Sequence, residues 1–281
     1  STGGARLDRA LPSPFAFDHV IARVTLDGRD YWIDATAELQ RGTLANFAQA
    51  DFGHALVLAD GSTGLTAMPA AASGRPELLV EETWDLRDRH GRLAPSGRLT
   101  IVTTYWRGRA DQVRRELQRS SPEQVGQHYL NFLLGYTHAK LDGAPHWQDD
   151  EVGNTVVVTE RYRLPQPWDA VDEERQQASF TLSLVHANLD LPFARVRRSP
   201  LALAHPIHVE QRIKVLLDAG WPQQRSDFQE DNAHFSVHHG VRLGGDSLTI
   251  RGHYRSRAGH VEPAQVQAHL RAVLRARNNL G

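Results

Sequence analysis

The 281-residue chain contains no cysteine. That excludes disulfides, thiolate metal sites and a thiol nucleophile supplied by these residues, and it fits any redox compartment. Aromatic residues are few, at 7%, whereas a glycan platform needs several rings stacked on one face. Net charge is close to nil, with 32 Lys and Arg against 33 Asp and Glu. No overall basic field gathers nucleic acid or acidic lipid, so no nucleic-acid partner is expected. No apolar run reaches bilayer length, so no membrane span is expected. The first ten residues, STGGARLDRA, are polar and lack the apolar core of a signal peptide. No Gly-rich phosphate loop or nucleotide fingerprint occurs, and no cofactor is expected. What the chain has is length enough for two or three compact units.

Residues 17–36, FDHVIARVTLDGRDYWIDAT, form the most informative stretch. Asp27-Gly28 is a two-residue turn in which both positions accept positive φ. The flanks HVIARVTL and RDYWIDAT are rich in β-branched and aromatic residues, which predicts a hairpin. Centring the turn there pairs Leu26 with Arg29, Ile21 with Asp34 and His19 with Thr36. Side chains alternate between faces. One face then carries Val20, Ala22, Val24 and Leu26 against Tyr31, Ile33 and Ala35, and is expected to be buried. The other carries His19, Ile21, Arg23 and Thr25 against Asp30, Trp32, Asp34 and Thr36. His19 and Asp34 become diagonal neighbours, and a diagonal Cβ separation of about 7 Å is bridged by an imidazole and a carboxylate. A carboxylate on one ring nitrogen fixes the tautomer and leaves the other nitrogen to take a proton from a nucleophile. On spacing alone, the same pair also fits a solvated polar strand face.

F-D-H-V, a hairpin, and then Y-W-I-D-A-T resemble the His and Asp strands of the bacterial transglutaminase-like superfamily. RGTLANFAQADFGHALVLADGSTGLTAMP, residues 41–69, is similar to the segment after the Asp in large bacterial members. VEPAQVQAHLRAVLRARNNLG is similar to the helical end of their C-terminal domain. The resemblance implies a papain-like core with a Cys–His–Asp triad, in which His19 and Asp34 are the catalytic His and Asp. It also implies β-rich flanking domains and a periplasmic or cell-envelope location. The family's Cys opens a helix well upstream of the His, but only eighteen residues precede His19. The chain is therefore read as the C-terminal part of a longer protein, inactive in cysteine chemistry as it stands. Ser13, between Pro12 and Pro14, has no helix start or oxyanion donor pair beside it and is not a substitute nucleophile.

The rest reads as an α+β, β-rich chain. Residues 1–70 are assigned to the transglutaminase-like strands, 77–165 to an α+β domain, and 170–281 to a β-sandwich-like domain ending in a helix. AAASGRP, residues 70–76, is a linker. ELLVEETWDLR, GRLTIVTTYWRG and NTVVVTERYRLP alternate as strands, and RADQVRRELQR is helical. Ser121-Pro122-Glu123-Gln124 predicts a capped helix start, followed by an apolar stripe of Val125, Tyr129, Phe132, Leu133 and Tyr136. ASFTLSLVHANL, HVEQRIKVLL, HFSVHHGVRL and DSLTIRGHYRSR alternate as strands, with a turn at Gly244-Gly245. Pro263 opens a final helix with Val266, Leu270, Val273 and Leu274 on one face, and Arg271, Arg275 and Arg277 late in it.

The 15 His residues pose the question of a metal, and none is expected. His205 and His208 have no further donor at ligand spacing. In a strand His234 and His238 are too far apart for one ion, and His238 and His239 face opposite ways. RVRR, residues 195–198, is read as a solvated loop in a unit that also carries Glu173 and Glu174. Trp84, Trp106, Trp147, Trp168 and Trp221 are read as core or edge residues. Two functions follow. One is a fragment of a cysteine acyltransferase or peptidase acting on a protein or peptide, with His19 as general base and Asp34 as its orienting acid. The other is a non-catalytic binding or scaffolding module for an envelope protein or polysaccharide.

Overall fold

A computed structural model describes residues 7, 11, 13–68, 74–88, 94–134, 137–172, 175–192 and 197–280. Strands β1 (Ala22–Leu26) and β2 (Arg29–Ile33) form the expected hairpin. Leu26 pairs with Arg29 and Ala22 with Ile33. Asp27 and Gly28 take φ of 51° and 75° at the turn, the left-handed geometry that matches the twist of the two strands. A second small hairpin, β3 (His54–Leu56) with β4 (Leu65–Ala67), follows. Of the expected 70–76 linker, residues 70–73 lie outside the described residues.

The main sheet starts with β5 (Leu78–Asp85) and β6 (Gly97–Trp106). Helices α1 (Gly108–Arg119) and α2 (Pro122–Leu133) come next. Ser121 caps α2: its Oγ accepts from the Gln124 N–H, and the Gln124 side chain accepts from the Ser121 N–H at 2.9 Å. In the α2 stripe, Val125 and Leu133 are buried, whereas Phe132 is 64% exposed and Tyr136 lies outside the described residues. Strands β7 (Lys140–Leu141), β8 (His146–Asp150) and β9 (Thr155–Leu164) complete this region. The short β10 (Asp169–Ala170) and β11 (Gln176–Gln177) pair with each other.

The segment ASFTLSLVHANL is not a strand. It contains the helical turn α3 (Ser183–His186), and Leu182, Val185 and Leu189 are all buried. Their spacing of three and four fits a helical face, whereas Phe180, Leu182 and Leu184 in the same segment alternate as in a strand, and only the neighbouring sheet decides between the two. After β12 (Leu201–Ala202), two long strands follow, β13 (His208–Asp231) and β14 (Phe235–Ser256). Then come β15 (His260–Val261), paired with β12, a 3-10 turn at Pro263–Gln265, and α4 (Val266–Asn278). On α4, Val266, Leu270 and Val273 are buried as expected, but Leu274 is 39% exposed.

The β13–β14 ribbon folds back on itself. The Arg257 N–H donates to the His234 carbonyl at 2.8 Å, and the rings of Phe235 and Tyr254 stack at 5.9 Å. In a straight strand those two residues would lie about 60 Å apart, at roughly 3.3 Å per residue. The ribbon turns where its register shifts, between Leu216 and Gln224. Gly220 and Gly245 supply φ of 111° and 67° there. The turn expected at Gly244-Gly245 between two strands is not there: both glycines lie inside the single strand β14, at the point where the ribbon bends.

The α+β, β-rich class stands, but the expected split between 77–165 and a separate 170–281 sandwich needs correction. β13 pairs in parallel with β5, giving one sheet in the order β14-β13-β5-β6-β9-β7, with β8 also on β9. One buried cluster joins Trp84, Leu99 and Tyr162 to Val185, Ile213 and Val273. The sheet is one-sided. Val215, Trp84, Leu99 and Tyr162 form one inward row by register, and the residues between them point outward. α1 and α2 bury Ala110, Val113, Leu117 and Val125 against Val156 and Val158 on the same face.

Candidate active site: the His19–Asp34 pair

His19 Nε2 lies 2.8 Å from Asp34 Oδ2. Asp34 Oδ1 accepts from the Thr36 N–H at 2.9 Å and the Thr36 hydroxyl at 2.7 Å. One carboxylate oxygen is thus tied down by the chain turning away from β2, and the other faces the imidazole. The Thr36 hydroxyl bond is the largest cause holding the Asp34 carboxyl below its usual range, and the His19 bond adds to it. An ionised carboxylate accepts from Nε2–H, which leaves the Nδ1 lone pair as the base. The His19 ring is held edge-on by Phe52 at 5.5 Å between centroids, and its side chain is 36% exposed. Thr36→Val is expected to raise the Asp34 pKa, because it deletes that largest cause. NMR titration of the Asp34 carboxyl checks this, and an unmoved midpoint would show that Thr36 does not set the carboxylate.

The structure thus brings together both residues chosen from the sequence. It reverses the expected burial of the hairpin. Trp32, on the face assigned as polar, is 3% exposed. It sits under the 47–52 segment, where its backbone N–H donates to Gln49 Oε1 at 3.0 Å and its carbonyl accepts from the Ala50 N–H. The face assigned to the core is open instead: Val20 is 83%, Leu26 45% and Val24 37% exposed, and Ile33 is half-buried. A hairpin read as part of a divided core should leave such a patch. Covering it would add roughly 1.5–3 kcal/mol per large apolar side chain.

The segment after Asp34 is anchored to α1 and to the β8–β9 turn. The Gly42 N–H donates to the Glu151 carbonyl at 2.9 Å, and Arg41 pairs with Glu151 at 3.1 Å. The Arg41 N–H donates to Asp111 Oδ1, and Asn46 Nδ2 donates to the Val152 carbonyl at 2.9 Å. Beneath these contacts Arg114 joins Asp111, Asp149 and Asn154.

Ser13 is not poised as a nucleophile. Its Oγ accepts from the Phe15 N–H at 3.2 Å and caps a single 3-10 turn, Pro14–Ala16. The histidines do not converge either. His205 bonds Ser256, His234 lies edge-on to His269, His238 tilts against His253, and His239 is buried. Among the described residues, no group of three or more His, Asp or Glu is placed to hold a metal ion. Nor, among the described residues, is any helix long and apolar enough to cross a membrane. Trp84 is in the core, Trp221 is 36% exposed, and Arg195 and Val196 of the RVRR run are outside the described residues.

One polar cluster was missed in the sequence. Glu82 and Glu160 flank Ile101 in one inward row of the sheet, and both are buried. Glu82 accepts from Trp84 Nε1 at 2.9 Å and from Gln211 Nε2 at 2.6 Å, and Glu160 accepts from the Tyr162 hydroxyl. Burial pushes Glu160 up to about 7, with the nearby Glu82 adding to the rise, and burial pushes Glu82 up as well. The signal was available: in V-E-E-T-W and V-T-E-R-Y the second and only glutamate, respectively, shares the alternation of the apolar residues two places away.

No family model, curated protein or solved structure matches the chain.

Proposed function

We propose that His19 and Asp34 are the general base and its orienting acid in a transglutaminase-like acyl-transfer or amide-hydrolysis site. Its cysteine nucleophile comes from a segment outside these 281 residues. The observation that carries the reading is the Nε2–Oδ2 contact of 2.8 Å, made while Asp34 is already fixed by Thr36. It aims Nδ1 away from the carboxylate on a partly exposed ring. The open apolar face of the same hairpin supports it, since the remainder of a core would cover that face.

In this reading the thiol gives its proton to Nδ1, and the thiolate attacks the amide carbonyl of a protein or peptide. The imidazolium then protonates the departing amine, and water or a second amine resolves the thioester. The test uses the full natural gene product and alkylation by iodoacetamide at pH 6. An ordinary thiol with a pKa near 8.5 is almost wholly protonated at that pH, so pairing with His19 should speed alkylation of one Cys at least tenfold. His19→Ala should remove that acceleration, and the 281-residue chain alone should turn over no Gln- or Asn-amide substrate. A full-length protein with no cysteine whose reactivity depends on His19 would sink the proposal.

A further inference from the structure

At one end of the main sheet, on its outward face, the register sets three cations side by side. Arg98 of β6 is paired directly with Arg163 of β9, and Arg163 directly with Lys140 of β7. Direct pairs point to the same face with Cβ atoms about 5 Å apart, and like charges placed so repel each other. Arg161, two residues before Arg163 on β9, shares this face. All four side chains are exposed.

The fold compensates little of this charge. Arg163 pairs with Asp142 at 3.3 Å, and both side chains are well exposed. The neighbouring Asp85 is directly opposite Arg98 but is held bidentately by Arg87, at 2.8 and 2.6 Å. Among the described residues, neither Arg98 nor Lys140 forms an ion pair or side-chain hydrogen bond. Neither secondary structure nor core packing calls for three adjacent cations at these positions.

The row borders a cleft of about 880 Å³, a volume that suits a small-molecule ligand. Among the described residues, Arg87, Arg98, Lys140 and Arg163 line it against two carboxylates, Asp85 and Asp218. Among the described residues its lining includes no aromatic side chain on which a base could stack, which disfavours single-stranded nucleic acid.

We propose that this cleft binds a compact oligoanion with at least two phosphate or carboxylate groups, held between Arg98 and Lys140, whose strands are two spacings, or roughly 10 Å, apart and whose long side chains shorten that span. Arg98 supplies a guanidinium fork for one group. Lys140 supplies a point charge for the other, across Arg163. The bound anion relieves the repulsion within the row, which distinguishes this place from a scattered basic surface. The site is separate from the His19–Asp34 pair and does not depend on the function proposed for it.

Isothermal titration of the 281-residue chain with inorganic tripolyphosphate and, separately, with citrate tests the proposal. The two arms tell phosphate from carboxylate ligands. At least one should bind, with a Kd below about 1 mM at low salt that weakens as salt is added. Arg98→Gln and Lys140→Gln should each weaken it at least fivefold. Arg271→Gln, the same charge change on the exposed side of α4, should not. The substituted residues are exposed, so the variants should fold, and unchanged far-ultraviolet circular dichroism checks this. Failure of both probes to bind at 5 mM would overturn the proposal. So would equal weakening by Arg271→Gln, or tighter binding of single-stranded oligonucleotide than of either probe.

Discussion

Arg114→Ala is expected to destabilise the protein by about 3–5 kcal/mol, the usual cost of leaving buried charges without their partner. The Arg114 side chain is 6% exposed. Its Nη1 donates to Asp111 at 2.8 Å and to Asn154 at 2.7 Å, while Nε and Nη2 grip the Asp149 carboxylate. Asp111 and Asn154 are themselves buried. Burial already lifts the Asp111 carboxyl above its usual range despite Arg114 and the Arg41 N–H, so losing the guanidinium strands an acid that the site barely tolerates. Arg114→Ala also empties space beside Leu117 and Trp147, which line the same small cleft.

Urea unfolding measures the loss, and the melting temperature should fall by roughly 5–8 °C. Because Asp111 also holds the Arg41 N–H, proteolysis within 38–48 should become faster than global unfolding. A loss below about 1 kcal/mol would mean that water replaces the guanidinium and that the network is peripheral.

Glu160→Gln should act in the opposite direction and stabilise the protein at pH 8 by up to about 3 kcal/mol. Glu160 keeps its proton in the fold up to about 7 and has an ordinary value of 4.5. Between those values the native state binds a proton that the unfolded chain has lost, so stability falls as pH rises from about 4.5 to about 7. At about 1.4 kcal/mol per pH unit, the cost above pH 7 is roughly 3 kcal/mol. Glutamine keeps an oxygen for the Tyr162 hydroxyl and removes the charge; its own N–H groups need partners, which makes the figure a ceiling.

His269 works against this slope. It is buried, with Nδ1 among the buried atoms that have no hydrogen-bond partner. Burial pushes its pKa down to about 4 from 6.5, with His234 adding to the effect. The unfolded chain then holds the extra proton, so this contribution to stability is lost as pH falls from about 6.5 to 4. The two opposite slopes overlap between about pH 4.5 and 6.5, where their sum is nearly flat. Glu160→Gln removes one falling contribution, so across that window its unfolding midpoint should rise more, or fall less, with pH than the parent's. A variant less stable than the parent at pH 8, with an unchanged denaturant slope, would show that the ionised carboxylate is already well solvated.

Local chemistry was enough for several features. Asp27-Gly28 sets a hairpin register because few other residue pairs enter the left-handed region so easily; the pairing stops at Ala22 and Ile33, short of the expected Ile21–Asp34 and His19–Thr36 pairs, yet His19 still meets Asp34 just beyond the strand ends. Ser121, Pro122 and Gln124 start α2 through bonds made within four residues. The buried glutamates could have been read from the same alternation. The α3 segment could not, because its apolar spacing satisfies both periods.

The amino-acid order by itself therefore determined the paired imidazole and carboxylate, the capped helix and the alternating strands, since each depends on neighbours along the chain. Only the tertiary structure decided which hairpin face is covered, that the ribbon doubles back, and that β5 and β13 unite the expected two units in one sheet. Those outcomes rest on contacts between residues far apart in sequence. Their stability depends on the shape and burial of the meeting surfaces, and no local pattern encodes either.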